Sequence, residues 1–278
     1  MNSNPGMNLR HCAGNPKNPA RMTVTVQLAR INVSTQHESL GLNWESPQKI
    51  LVILAHPDDP EFFCGATLSR WAQEGHEIHY CLLTCGDKGS HEPEMTTDKL
   101  CSTRVTEQLA AAAHIGVKNV RFLQYPDGYL LPSLELRRDI VRIIREEKPD
   151  IIVTCDPTNL YPSTTYGINH PDHRYAGQAV LDAVFPASGN PFFFPDLISQ
   201  EGKQPHMPRE VWVSLAAQPT VIMDVTDMWE LKLAALKEHK SQIGDLDTFE
   251  ARMRSRRTED STDENPRYEE RFRRILFR

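Results

Sequence analysis

The chain has no apolar run near the ~18 residues that span a bilayer, no CxxC pair, no GxGxxG and no internal repeat. The first absence excludes a transmembrane helix. The second leaves no thiolate pair at the spacing of a structural zinc site. Without GxGxxG after a strand, dinucleotide binding is disfavoured even on a sheet that would permit it. A basic flank followed by an apolar core is also missing near the start, so no secretory signal is expected. Positive charge is in deficit: 31 Lys+Arg against 37 Asp+Glu leave a net charge of −6. That balance argues against a protein whose main work is neutralising nucleic-acid phosphates. The six cysteines (Cys12, Cys64, Cys81, Cys85, Cys101 and Cys155) are few and scattered among 278 residues. They are expected as free thiols in a reducing, cytoplasmic setting.

What is present is ordinary for a soluble globular chain: 39% hydrophobic and 24% charged residues. Residues 1–47 read as an N-terminal arm, partly disordered, because the first 19 positions are rich in Asn and Pro and poor in apolar anchors. A short alternating stretch after Met22 predicts an edge strand. Residues 48–278 read as one α/β domain. Its first strand is the continuous apolar run Ile50–Ala55, the mark of a strand buried on both faces. The expected succession is a helix over Gly65–Glu74, a strand over Ile78–Thr84, a helix over Asp98–Ile115 and a strand over Asn119–Leu123. A helix up to Pro149, a strand over Ile151–Thr154 and a helix over Asp172–Phe185 follow. Such alternation predicts right-handed crossovers and a mostly parallel sheet with helices on both faces, a three-layer Rossmann-like architecture. Pro186–Pro208, proline-rich and carrying Phe192, Phe193 and Phe194, is expected as a long loop and a candidate lid. Two late strands, a helix from Asp227 to about Ile243 and a docked end at Tyr268–Phe277 complete the reading.

Two clusters carry the chemistry. His56-Pro57-Asp58-Asp59 follows the first central strand, at the sheet edge where open α/β folds bind ligands. His170-Pro171-Asp172-His173 follows the fourth strand and its loop, on the same edge. Either alone fits an ordinary helix start, since Asp caps helices and surface histidines are common. Together they crowd imidazoles and carboxylates in a way that calls for a compensating cation. Two or three imidazoles, one ligating carboxylate and a spare carboxylate match a catalytic site with an open position, suited to Zn²⁺, with Fe²⁺ or Co²⁺ allowed by the same N/O donors. Gly86 and Gly89 read first as turn formers after the second strand.

These segments, with Thr84-Cys85-Gly86-Asp87-Lys88-Gly89, Arg104-Val105-Thr106-Glu107 and Tyr125-Pro126-Asp127-Gly128, resemble in order the motifs of the LmbE/PIG-L family of zinc-dependent N-acetyl-sugar deacetylases. The resemblance runs from about Lys49 to Ile275. It implies His56, Asp59 and His173 as metal ligands and Asp58 as the general base toward water. It also implies that a cationic His170 steadies the oxyanion or donates a proton, and that Asp172 orients an imidazole. Arg104 and Asp127 would hold sugar hydroxyls. Pro60 stands where many relatives have Glu, and Glu61 is left without a role. The implied function is removal of the acetyl group from an N-acetylglucosamine-type substrate, by a homo-oligomer with a small sugar partner. The loops Asp156–Asn169 and Pro186–Pro208 are expected to select that substrate. Two rival readings are a non-catalytic sugar- or metal-binding protein on the same scaffold and a two-metal phosphoesterase. The second lacks the extra carboxylates.

Overall fold

In the computed structural model, which describes residues 22–25, 44–162 and 167–277, the run Lys49–Leu54 is the central strand of the sheet. The elements begin with β1 (Met22–Thr25), β2 (Lys49–Leu54), α1 (Asp59–Gln73), β3 (Glu77–Leu82), α2 (Thr97–Ile115), β4 (Asn119–Phe122), α3 (Leu134–Glu147) and β5 (Ile151–Cys155). They continue with α4 (Pro171–Asp182), a π-helical turn at Ala183–Ser188, α5 (Pro195–Ser199), β6 (Glu210–Ser214) and β7 (Val221–Asp224). The last are α6 (Trp229–Leu236), α7 (Lys240–Ile243), α8 (Leu246–Arg254) and β8 (Glu269–Leu276).

One eight-stranded sheet has the order β1-β4-β3-β2-β5-β6-β8-β7. The five strands from β4 to β6 are parallel, with Ile50 in register with Ile78 on one side and Ile151 on the other. β1, β8 and β7 run antiparallel at the two flanks. Progress along the chain goes outward from β2 through β3 to β4, then returns to β5 on the other side of β2. The reversal therefore lies between β2 and β5, where ligands bind in such sheets. Among the described residues, no helix is long and apolar enough to cross a membrane.

The alternation and the parallel centre follow the sequence expectation, and the departures have physical reasons. Helix α1 starts at Asp59 and breaks at Cys64, whose φ of −151° is not helical. Two distant charges satisfy the backbone groups freed there. Lys232 donates from Nζ to Phe62 O (2.9 Å), while Glu270 accepts from Ala66 N and Thr67 N (3.1 and 2.8 Å). Lys232 and Glu270 also pair at 2.6 Å in the interior. The helix expected from Asp227 divides into α6 and α7, and Asp227 makes no cap but pairs with Arg70. The end of the chain is a strand, β8, inserted between β6 and β7. Cys85 and Cys101 form a disulfide, which corrects the expectation of free thiols for that pair and removes its support for a reducing compartment. Cys64, Cys81 and Cys155 are free and buried, and Cys12 lies outside the described residues, as does most of the arm.

The proline-rich stretch is not a lid. Arg145 of α3, 1% exposed, donates from Nε to Ser188 O and from Nη2 to Ala187 O, Asn190 O and Phe193 O at 2.9–3.0 Å. Phe193 and Phe194 pack on the core, and Phe192 is exposed. Arg145→Met would strand these carbonyls without donors. We expect a loss of about 3 kcal/mol or more in denaturant unfolding.

At the same end of α3, Glu147 faces Lys49 Nζ (2.8 Å), His79 Nδ1 (3.2 Å) and Arg121 Nη2 (3.4 Å). The bond with His79, against an opposing contribution from burial, and the Lys49 ammonium hold its carboxyl at about 2. A carboxyl depressed on folding stabilises the protein above its unfolded value near 4.5, and that contribution fades as pH falls toward 2. Glu147→Gln is therefore expected to cost about 1–3 kcal/mol at pH 7. The difference from wild type should shrink steadily between pH 5 and 3 in unfolding titrations.

Candidate active site

β2 delivers the chain to the sheet edge, and Pro57 with Asp58 turns it into α1. Asp58 takes a left-handed backbone, φ 94°, unusual for a residue with a side chain. Asp59, buried at 3% exposure, folds its Oδ2 back onto Ala55 N and His56 N (3.1 and 2.8 Å). On the other side of the switch point, α4 approaches β5 closely because Gly177 has no side chain. A Cβ there would lie 2.2 Å from Cys155 O. This approach brings the start of α4 over the end of β2.

The two sequence clusters therefore meet. His173 Nε2 lies 3.0 Å from Asp59 Oδ1, and His56 Nδ1 lies 3.4 Å from Asp59 Oδ2. One nitrogen each from His56, His170 and His173 also lie within 4.8 Å of one another. The rear of each imidazole is held. His173 Nδ1 sits 3.0 Å from Asn169 Oδ1, which must accept and so leaves the Nε2 lone pair facing Asp59. His56 Nε2 faces Asp127 Oδ1 (3.0 Å) and Asp172 Oδ2 (3.3 Å), which leaves its Nδ1 facing Asp59. Asp172, wholly buried, is itself fixed by Gly128 N and Leu130 N (2.7 and 3.2 Å). This second layer orients ligands toward one point, as metal sites require.

The charges show the same need for a cation. Burial opposes a charge on His56, yet Asp59, Asp127 and Asp172 overcome it and raise the imidazole well above its ordinary value. Burial likewise opposes ionisation of Asp59, and the His173 and His56 rings outweigh it. The donor set therefore fits a divalent ion: two imidazole nitrogens and a carboxylate, oriented from behind and surrounded by excess negative charge.

Asp58 stands beside this point and outside it. Its carboxyl is raised, chiefly by burial and then by Asp59, against the opposing pull of Arg104 at 3.2 Å. His170 caps α4, its Nδ1 accepting from Asp172 N (3.1 Å), which leaves Nε2 as the free donor. Burial, followed by the neighbouring His56 and His173 rings, lowers its pKa. That shift runs against a positive charge on His170.

Arg104 and Asp127 line the cavity and at the same time are engaged within the protein. Arg104 donates to Gly86 O (2.9 Å), Pro57 O (2.6 Å) and Asp58. Asp127 divides its oxygens between His56 and Lys88 N (2.9 Å). Gly86 and Gly89 do more than turn the chain, because a Cβ on either would fall within 2.6 Å of the Arg104 guanidinium. A cavity of about 570 Å³ opens over the cluster, with Phe62, Phe63, Ile168 and Leu215 on its apolar side and Lys88 and Gln242 among its polar walls. Of the two loops expected to select substrate, only the first reaches it, through Pro162, Ile168 and Asn169; none of Pro186–Pro208 does.

The profile of the GlcNAc-PI de-N-acetylase (PIG-L) family matches residues 51–184. A diacetylchitobiose deacetylase of Thermococcus kodakarensis is 34% identical over 196 residues, 70% of each chain. The chain belongs to the PIG-L family. Another PIG-L relative, a 1D-myo-inositol 2-acetamido-2-deoxy-alpha-D-glucopyranoside deacetylase of Actinosynnema mirum, is 26% identical and matched over 71% of this chain and 82% of its own. The solved N,N'-diacetylchitobiose deacetylase of Pyrococcus horikoshii superposes with a TM-score of 0.76 at 30% identity, over 86% of this chain and 87% of that one.

Sequence reasoning missed three buried residues beneath this PIG-L site. Glu61, Gln108 and His239, each 0% exposed, are hydrogen-bonded into one network. Glu61 fell on the first turn of α1, but no signal in the sequence joined it to Gln108 or His239, which reach it from other elements.

Proposed function

We propose that this PIG-L protein is a metal-dependent hydrolase that removes the acetyl group from the nitrogen of an N-acetylglucosamine-type sugar, releasing acetate and a free amine. The observation that carries the reading is the convergence of His56, Asp59 and His173 on one point, with Asp58 beside it and the cavity open above. Those three residues would hold the ion, with Zn²⁺ expected and Fe²⁺ or Co²⁺ compatible. When bound, the ion supplies Lewis acidity toward the acetyl oxygen and acidifies water at neutral pH.

The protein's own groups do the rest. Asp58 accepts the proton of the attacking water, and its raised carboxyl returns that proton to the departing nitrogen. His170 Nε2 donates to the oxygen that becomes negative as the carbonyl carbon turns tetrahedral, a contribution worth about 10²–10³-fold where one such donor has been removed. Arg104 and Asp127 are assigned to holding Asp58 and His56 rather than to sugar hydroxyls. The apolar wall at Phe62, Phe63 and Leu215 faces the substrate and helps exclude water.

The test is acetate release from N-acetylglucosamine, N,N'-diacetylchitobiose and an N-acetylglucosaminyl inositol, with added Zn²⁺ and beside a chelated control. Release on at least one sugar and none after chelation is the expected result. Calorimetric binding of the sugars with no acetate formed would instead favour a non-catalytic binder.

A further inference from the structure

We infer that Gln108 is a positioning residue for Asp58, locked in its working orientation by the buried Glu61–His239 pair. The inference rests on Asp58 acting as the base. The argument starts from the single peptide unit between Pro57 and Asp58, which two residues of α2 grip at opposite ends. Arg104 Nη2 donates to Pro57 O (2.6 Å), and four residues on, one helical turn away, Gln108 Oε1 accepts from Asp58 N (2.8 Å). The gripped residue has a φ of 94°, a conformation that residues with a side chain rarely adopt. Something must hold it, and the Arg104–Gln108 pair does.

A side-chain amide could present either end to Asp58 N, and only the oxygen accepts. Glu61 decides which end it is. Gln108 Nε2 lies 3.0 and 3.1 Å from the two Glu61 oxygens, so the NH₂ faces the carboxylate and the oxygen faces Asp58. Glu61 would be an uncompensated buried anion but for His239 Nε2, 3.2 Å from its Oε2. His239 arrives at the α6–α7 junction, and the adjacent Ser241 fastens that junction to α2 through Glu107 (2.8 and 2.7 Å). The chain of hydrogen bonds from His239 Nε2 to Asp58 N is therefore continuous, and only His239 Nδ1, at its far end, lacks a partner. None of its members except Asp58 lines the cavity.

The experiment uses the zinc-loaded full chain and one N-acetyl sugar that it turns over. Gln108→Leu leaves Asp58 N unmet and is expected to lower kcat about 10- to 100-fold, with KM and bound zinc unchanged. Gln108→Glu sets two carboxylates against each other and should lower kcat further, along with the thermal midpoint. The exchange Glu61→Gln with Gln108→Glu restores the pattern, because Gln at 61 donates to Glu at 108, which still accepts from Asp58 N. It should recover kcat at least tenfold over Gln108→Glu alone. Wild-type kcat in Gln108→Leu, or an exchange no better than Gln108→Glu, overturns the inference. Asp58→Asn, measured alongside, separates the two readings. If it is inactive with zinc retained, the base stands whatever Gln108 does; if it is fully active, both readings fall.

Discussion

Asp58→Asn is expected to keep its metal and lose about 10²–10⁴-fold in kcat, the usual worth of a positioned general base. The substitution is nearly isosteric, and the amide oxygen can still accept from Arg104, 3.2 Å away in the native protein. The backbone N–H at position 58 still donates to Gln108. The three residues assigned as ligands are untouched by the substitution, so metal content should remain near one ion per chain. KM should move little, since what is lost is a proton acceptor used in reaching the transition state. Metal analysis and acetate-release kinetics on the same preparation check this, and a variant with near-native turnover would falsify the assignment of the base.

Removal of the ion is expected to have the larger effect. Chelation should abolish acetate release, and added Zn²⁺ should restore it. His173→Ala removes a ligand and should leave the protein without tightly bound metal. Asn169→Ala removes the acceptor behind His173, together with a donor to Asn159 O (2.9 Å), and should weaken metal affinity or activity about 10- to 100-fold. The graded pair matters more than either variant. Equal losses would mean that the loop carrying Asn169 collapses when the side chain is shortened, whereas a small loss beside a large one supports the two-layer arrangement. Competition with a chromogenic chelator reads both affinities directly.

The parts of this molecule legible in the sequence were those encoded locally. Ile50–Leu54 announces a doubly buried strand by composition, and Gly116 ends α2 in the left-handed conformation expected of a glycine there. His56, Asp58 and Asp59 are neighbours, so their meeting needed only the turn after β2. The meeting of that turn with His173 rested on topology, which alternating strands and helices fix well. Features built from residues far apart were not legible. The break in α1 at Cys64 exists because Lys232 and Glu270 satisfy it, from 170 and 204 residues away. Nothing in the local sequence marks Arg145, yet it organises the proline-rich loop through bonds to Ser188 O and Ala187 O. The motifs of Arg104 and Asp127 reveal proximity to the site, but not the protein partners that the two side chains hold there.

Glu270 ties α1, the helix that begins at Asp59, to a strand laid between β6 and β7. Completing the catalytic edge therefore depends on closing most of the polypeptide into one long circuit. Such long-range closure is slow relative to forming neighbouring turns, so during refolding catalytic competence should emerge together with the last sheet pairing, well after helical content has returned.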